Sequence, residues 1–139
     1  MGKRSTARKL AMQAMYQADA LGAEISGVFP ELFSRESYLP ETVRFSQTLA
    51  LGAWEKKEHS DKVIVRLSKG WSLDRMGKVV MSVLRLAIYE LDFQSDTPSS
   101  VVIDEAVELA KKFATPEAGK FVNGILGSYL KEKKACSRE

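Results

Sequence analysis

Catalysis needs polar side chains that converge, and this sequence offers few. His59 is the only histidine and Cys136 the only cysteine among 139 residues. His59 sits beside Glu58 and Asp61 in a polar stretch, and Cys136 lies in a lysine-rich tail. Neither has in view the partner that a general base or a nucleophile requires, and together they cannot complete a zinc site. Asp104 and Glu108 are spaced i,i+4 and could hold a metal on one helix face. Acids early in a helix are also what the helix dipole favours, however, and Glu108 precedes Lys112 by the four residues of a supporting ion pair. No phosphate-cradling glycine loop, dinucleotide fingerprint or nucleophile elbow is present. The expectation is a protein that is not an enzyme, with no catalytic residue, metal or cofactor.

Binding chemistry is better represented. Lys9, Gln13 and Tyr16 follow i, i+4, i+7 and share one helix face, with Arg8 and Met12 beside them. That face offers a charge for phosphates, an amide for base edges and a ring for stacking, the combination with which single-stranded RNA is recognised. The alternative is a solvated helix edge with Tyr16 half-buried. Formal charge points the same way. Residues 1–9 carry +4 from Lys3, Arg4, Arg8 and Lys9, residues 131–139 carry +2, and the rest carries −3. A basic end on a mildly acidic body suits a polyanion. A second stretch, Lys120-Phe121-Val122-Asn123-Gly124, opens the last helix, with Gly119, Gly124 and Gly127 inside the helical pattern. Each such glycine costs about 1 kcal/mol relative to alanine, which suggests close approach by another chain segment or a ligand. Phe121 falls at the margin of the core stripe, so position alone leaves it either core or surface.

These residues must be positioned by helices, because apolar residues recur at helical spacing and no segment sustains strand alternation. The first helix is expected from Ser5 or Thr6 to Leu21, ended by Gly22. A short one holds Val28 to Phe33, a third begins near Pro40, and Ser60 or Asp61 caps a fourth. Gly70-Trp71-Ser72 forms a seam. Leu73 to Met76 makes one turn before Gly77, a strongly apolar helix follows, and the next spans Val101 to Ala114. Thr115-Pro116-Glu117 starts the last, which runs to Lys133. The fold class is therefore all-α: a bundle of about seven helices in a single domain, with fused subdomains at roughly residues 1–70 and 71–135. The composition, 45% hydrophobic and 28% charged, is that of a globular protein. No apolar run reaches the roughly 20 residues of a membrane span, and the lone cysteine fits a reducing cytoplasm.

Four ordered motifs then carry a resemblance. Trp71-Ser72-Leu73-Asp74-Arg75-Met76, Leu84-Arg85-Leu86-Ala87-Ile88-Tyr89-Glu90-Leu91, Ile103-Asp104-Glu105-Ala106-Val107-Glu108-Leu109-Ala110-Lys111-Lys112-Phe113 and Lys120-Phe121-Val122-Asn123-Gly124-Ile125-Leu126 resemble the NusB family of bacterial transcription antitermination factors. So do Ala7-Arg8-Lys9 and Gln13-Ala14-Met15-Tyr16-Gln17 near the start. The resemblance implies a non-enzymatic protein that binds boxA-type nascent RNA. Its partner would be a small-subunit ribosomal protein, NusE, and together they would load an antitermination complex on RNA polymerase in ribosomal RNA operons. It assigns RNA contacts to Lys3, Arg4, Arg8, Lys9, Gln13 and Tyr16 of the arm and first helix. On the last helix it assigns Glu117, Lys120, Phe121 and Asn123, and so moves Phe121 from the core margin to the RNA. Val80 stands where many members carry an acid, near the surface expected to meet the partners. Two other readings compete: a helical interaction module with an incidental basic arm, and the RNA-binding part of a ribosomal RNA methyltransferase. For the latter, 139 residues beginning at Met1 leave no room for a methyltransferase fold.

Overall fold

The computed structural model describes residues 3–68 and 73–137; the side chains of residues 73–76 and 137 fall outside that description, as does the Gly70-Trp71-Ser72 seam. In chain order the helices are α1 (Lys3–Leu21), α2 (Phe29–Ser34), α3 (Pro40–Glu55), α4 (Lys57–Leu67), α5 (Leu73–Phe93), α6 (Ser99–Phe113) and α7 (Pro116–Ser137), with a 3-10 turn at Ile25–Gly27 before α2. Among the described residues there is no strand.

Local chemistry sets most of these bounds. Gly22 takes φ +62°, and the Ala23 N–H then donates to the Ala18 carbonyl at 3.0 Å, closing α1 as a glycine C-cap does. Pro30 and Pro40 occupy the first turns of α2 and α3, where a missing N–H costs nothing. The Thr115 Oγ1 accepts from the Ala118 N–H at 3.0 Å, capping α7 one residue before Pro116. Gly77 is non-helical, with φ +78° and ψ +165°, so Leu73–Met76 form one turn that is offset from the long remainder of α5. Several bounds differ from the sequence pattern, α6 among them, which starts at Ser99, two residues before Val101. α1 starts two residues before Ser5, and α7 continues four residues past Lys133. α4 starts at Lys57, where the Lys56 N–H still donates to the Gly52 carbonyl. Ser60 and Asp61 are thus inside α4, Ser60 fully buried and Asp61 bonded to another helix, rather than capping it.

α5 is the axis of the fold. It packs against α1, α3, α4, α6 and α7, and Val80, Val83, Leu84, Leu86, Ala87 and Ile88 are all buried. A helix apolar on this many sides must be covered all round. Val80 is therefore a core residue and not part of any partner surface. The apolar cluster around α5 runs unbroken from Leu10 of α1 to Tyr129 of α7. Among the described side chains of α5, two charged ones are buried with it and face other helices. Arg85 donates from Nε and Nη2 to the two carboxylate oxygens of Asp61 in α4, at 2.7 and 2.8 Å. Its Nη1 lies 3.6 Å from Asp19 of α1. Glu90 faces α1 and belongs to the site described below.

α3 crosses α5 at Gly52, where a Cβ would lie 2.2 Å from the Tyr89 ring. Gly52→Ala should destabilise the protein by roughly 1–3 kcal/mol, the usual cost of overpacking. Urea unfolding would measure it, and an unchanged midpoint would contradict this crossing.

Candidate nucleic-acid interface

α1 buries Ala7, Leu10, Ala11, Ala14, Met15 and Ala18 and leaves Lys9, Gln13 and Tyr16 on its other side. Lys9 and Gln13 are half-buried, and Tyr16 is 39% exposed. The stripe read from the sequence is thus a real outer edge of α1. The cations preceding it are engaged by neighbouring helices. Lys3 Nζ donates to Glu41 of α3 at 3.0 Å. The Arg4 guanidinium lies 4.2 Å above the centre of the Phe45 ring, a cation–π contact that leaves Arg4 exposed.

Arg8 behaves differently from the expectation of a phosphate contact, which needs a guanidinium at the surface. Arg8 is 3% exposed. Its Nε donates to both Glu90 oxygens, at 3.1 and 2.9 Å, and its Nη2 donates to Glu90 Oε1 at 3.0 Å. Its Nη1 donates to Glu105 of α6 at 3.2 Å, and the Ser5 hydroxyl donates to the same Glu105 oxygen. A small cavity beside the pair is lined by Leu86, Ala106 and Leu109 among others. Burial pushes the Glu90 carboxyl above the usual range, against the pull of Arg8. Arg8 thus ties α1 to α5 and α6 instead of presenting charge to solvent. The sequence reading missed Glu90 and Glu105 as its partners. The available signal was an acid, Glu90, closing the run Leu86-Ala87-Ile88-Tyr89 within a strongly apolar helix.

The second part of the candidate interface is the start of α7. Glu117, Lys120 and Asn123 are exposed there. Phe121 is 6% exposed and lies in the apolar cluster with Val122, Ile125 and Leu126, so it has little ring face to offer a base. Gly119 packs against Lys111 of α6, whose Cγ would be 2.7 Å from an added Cβ. Gly124 and Gly127 meet nothing within 4 Å, so only one of the three glycines serves a close helix approach. Glu108 pairs with Lys111, at 3.9 Å, rather than with Lys112, whose ammonium lies over the Phe113 ring. α6 bonds to α1 through Glu105 and packs along α7, so it is the element linking the two parts.

Further along α7 lies a polar cluster of structural character. The Tyr129 hydroxyl and Lys133 Nζ each donate to Asp92 Oδ1 at 2.7 Å, and His59 Nε2 is 3.3 Å from Asp92 Oδ2. Burial and the bond to Asp92 raise the Tyr129 phenol well above its ordinary range. Cys136 is exposed, and no group of three or more potential ligands among the described residues could hold a metal ion.

Arg8→Ala leaves Glu90 buried without its partner and should cost about 3–5 kcal/mol, whereas Arg4→Ala should cost under about 1 kcal/mol. The deficit of Arg8→Ala should also shrink on acidification. Without Arg8 the Glu90 carboxyl is pushed up further, and protonation then removes the unpaired charge. In the wild type the sign is the same but smaller: the raised carboxyl favours the fold below the ordinary value of 4.5, and that contribution is lost as pH rises through the folded-state value. Urea unfolding of both variants at several pH values tests this, and equal midpoints for the two would refute the assignment. Phe121→Ala should cost roughly 3–5 kcal/mol, as a core truncation does. A melting temperature unchanged from wild type would return Phe121 to the surface.

Comparison with known proteins places this arrangement in a family. The profile described as the NusB family matches residues 5–131. The transcription antitermination protein NusB of Symbiobacterium thermophilum is 39% identical over 96% of this chain and 93% of its own length. That of Dictyoglomus thermophilum is 41% identical over 93% and 85%. Among solved structures, antitermination factors NusB and NusE in complex with dsRNA superpose with a TM-score of 0.84 at 32% identity, covering 95% of this chain and 98% of the matched one. NusB from T. maritima also gives 0.84, at 35% identity over 95% and 92%. A helical bundle built round α5, matched along nearly its whole length, belongs to the NusB family.

Proposed function

We propose that this chain is an RNA-binding transcription antitermination factor of the NusB type, working in the cytoplasm without catalysis. It binds boxA-type RNA together with the small-subunit ribosomal protein NusE and so contributes to an antitermination complex on RNA polymerase at ribosomal RNA operons. The observation that carries this reading is the near-complete match to a NusB solved with NusE and RNA. Among the described helices, none is long and apolar enough to cross a membrane.

For the RNA face we propose the outer edge of α1 and the start of α7. Lys9 and Lys120 would meet phosphates with Arg4 and Lys3, two exposed cations held only by a half-buried ring and an exposed carboxylate. Gln13 and Asn123 would read base edges, and Tyr16 would supply a stacking surface. Glu117 would border the face at the α7 N-terminus. Arg8 and Phe121 would support it from beneath.

Neutralising three to four phosphates on a single strand gives a log–log salt slope of roughly −2 to −3. Replacing Arg4 and Lys9 together by alanine should flatten that slope with helix content unchanged. Saturating NusE should raise the affinity for boxA-type RNA, because two proteins then share one strand. Fluorescence anisotropy with a labelled RNA would read both effects. Salt-independent binding, or a dissociation constant indifferent to NusE, would overturn the reading.

A further inference from the structure

We infer that Glu105 is a positioning residue for RNA binding: a carboxylate that does not touch RNA but fixes the first turns of α1 against α6, and through α6 against α7. The inference rests on the RNA face proposed above.

Three observations carry it. First, Glu105 gathers two donors from α1, the Ser5 hydroxyl and Arg8 Nη1. Arg8 is itself immobilised by its three contacts to Glu90, so Glu105 is anchored to a rigid point and not to a free surface arginine. Second, Ser5 lies on the stripe that matters. Lys9 follows it at i+4 and Tyr16 at i+11, so the contact with Glu105 sits one turn before Lys9 on the same edge of α1. Third, the other side-chain contacts made by α1 before Arg8 are weaker: the Lys3–Glu41 pair has both side chains more than half-exposed, and the exposed Arg4 rests on the half-buried Phe45 ring. Such contacts contribute little. The first turn of α1 also has no acid of its own, so Glu105 supplies from α6 the negative charge that a helix start favours.

Charge alone and positioning predict opposite signs. Glu105 is partly exposed, with its side chain 26% accessible, and sits beside a face proposed to bind a polyanion. If it acted only through charge, removing it would strengthen RNA binding, most of all at low salt. Positioning predicts the reverse, since loosening α1 against α6 separates Lys9 and Tyr16 from Lys120 and Asn123.

The test compares Glu105→Ala and Glu105→Gln with the wild type, well below their melting temperatures so that all are folded. Glutamine keeps an acceptor oxygen for Ser5 and Arg8 without the charge. Binding of boxA-type single-stranded RNA should weaken roughly 3- to 30-fold in Glu105→Ala, the range for residues that act without touching the ligand. The salt slope should stay that of the wild type, because no phosphate contact is lost, and Glu105→Gln should retain more affinity than alanine. Without RNA, amide exchange over residues 7–12 should accelerate in Glu105→Ala. Wild-type or tighter RNA binding by Glu105→Ala, or unchanged exchange over those residues, would overturn the inference. A wild type that binds no RNA would instead overturn the proposed function, and the exchange measurement would still decide whether Glu105 fixes α1.

Discussion

A guanidinium and a carboxylate taken out of water must satisfy each other almost completely, because either one alone in a low-dielectric interior is costly. The Arg8–Glu90 pair meets that condition with three contacts, and Glu105 takes a further donor of Arg8. The requirement constrains α1, α5 and α6 at once. Apolar packing between helices tolerates small slides and rolls, since many rotamer sets fill a similar volume. A bidentate pair does not, because its hydrogen bonds weaken steeply with misalignment. The outer edge of α1 therefore inherits its orientation from a pair buried beside it on the flank of the same helix.

Arg85 repeats the device lower on α5. It faces Asp61 on α4 and Asp19 on α1, so Arg85 and Glu90 both tie α5 to α1, and Arg85 ties it to α4 as well, while the apolar residues of α5 fill the space between. This explains how a helix surrounded on most sides can still have a single register. Leucine and valine supply the cohesion, and two ion pairs five residues apart supply the address. Buried ion pairs are weak contributors to stability relative to well-packed apolar residues, and here their geometric role is the more evident one.

Local signals made much of the fold legible in the sequence. Thr115 before Pro116, Gly22 after Leu21 and Gly77 after one helical turn each act through a backbone requirement contained within a few residues, so each could be read without knowing the rest of the chain. The apolar run of α5 likewise announced a buried helix. Arg8 could not be read in the same way. A basic residue between other basic residues has the pattern of a solvated arm, and the partner that draws it inward is 82 positions away. Phe121 was ambiguous for a related reason. A residue at the edge of a core stripe is buried or exposed according to the roll of the helix, which tertiary contacts decide. The start of α4 was misplaced because Ser60 and Asp61 have cap chemistry, yet one is wanted inside the core and the other opposite Arg85. The outer edge formed by Lys9, Gln13 and Tyr16 was legible from periodicity, whereas the link between that edge and α7 was not, because it passes through α6.

The tie at Asp92 has a practical consequence. Tyr129 and Lys133 hold the distal half of α7 to α5, while its beginning packs along α6 with Gly119 against Lys111. Cys136 lies three residues beyond Lys133, exposed and still within the helix, and it is the only thiol in the chain. At 1.5 Å per residue it is about 24 Å along the axis from Lys120. A fluorophore or spin label can therefore be attached there without engineering a site, on a helix that is tied down at both ends and continuous with the proposed RNA face. Distances measured from such a label would report where a bound strand runs with little uncertainty from motion of the helix itself.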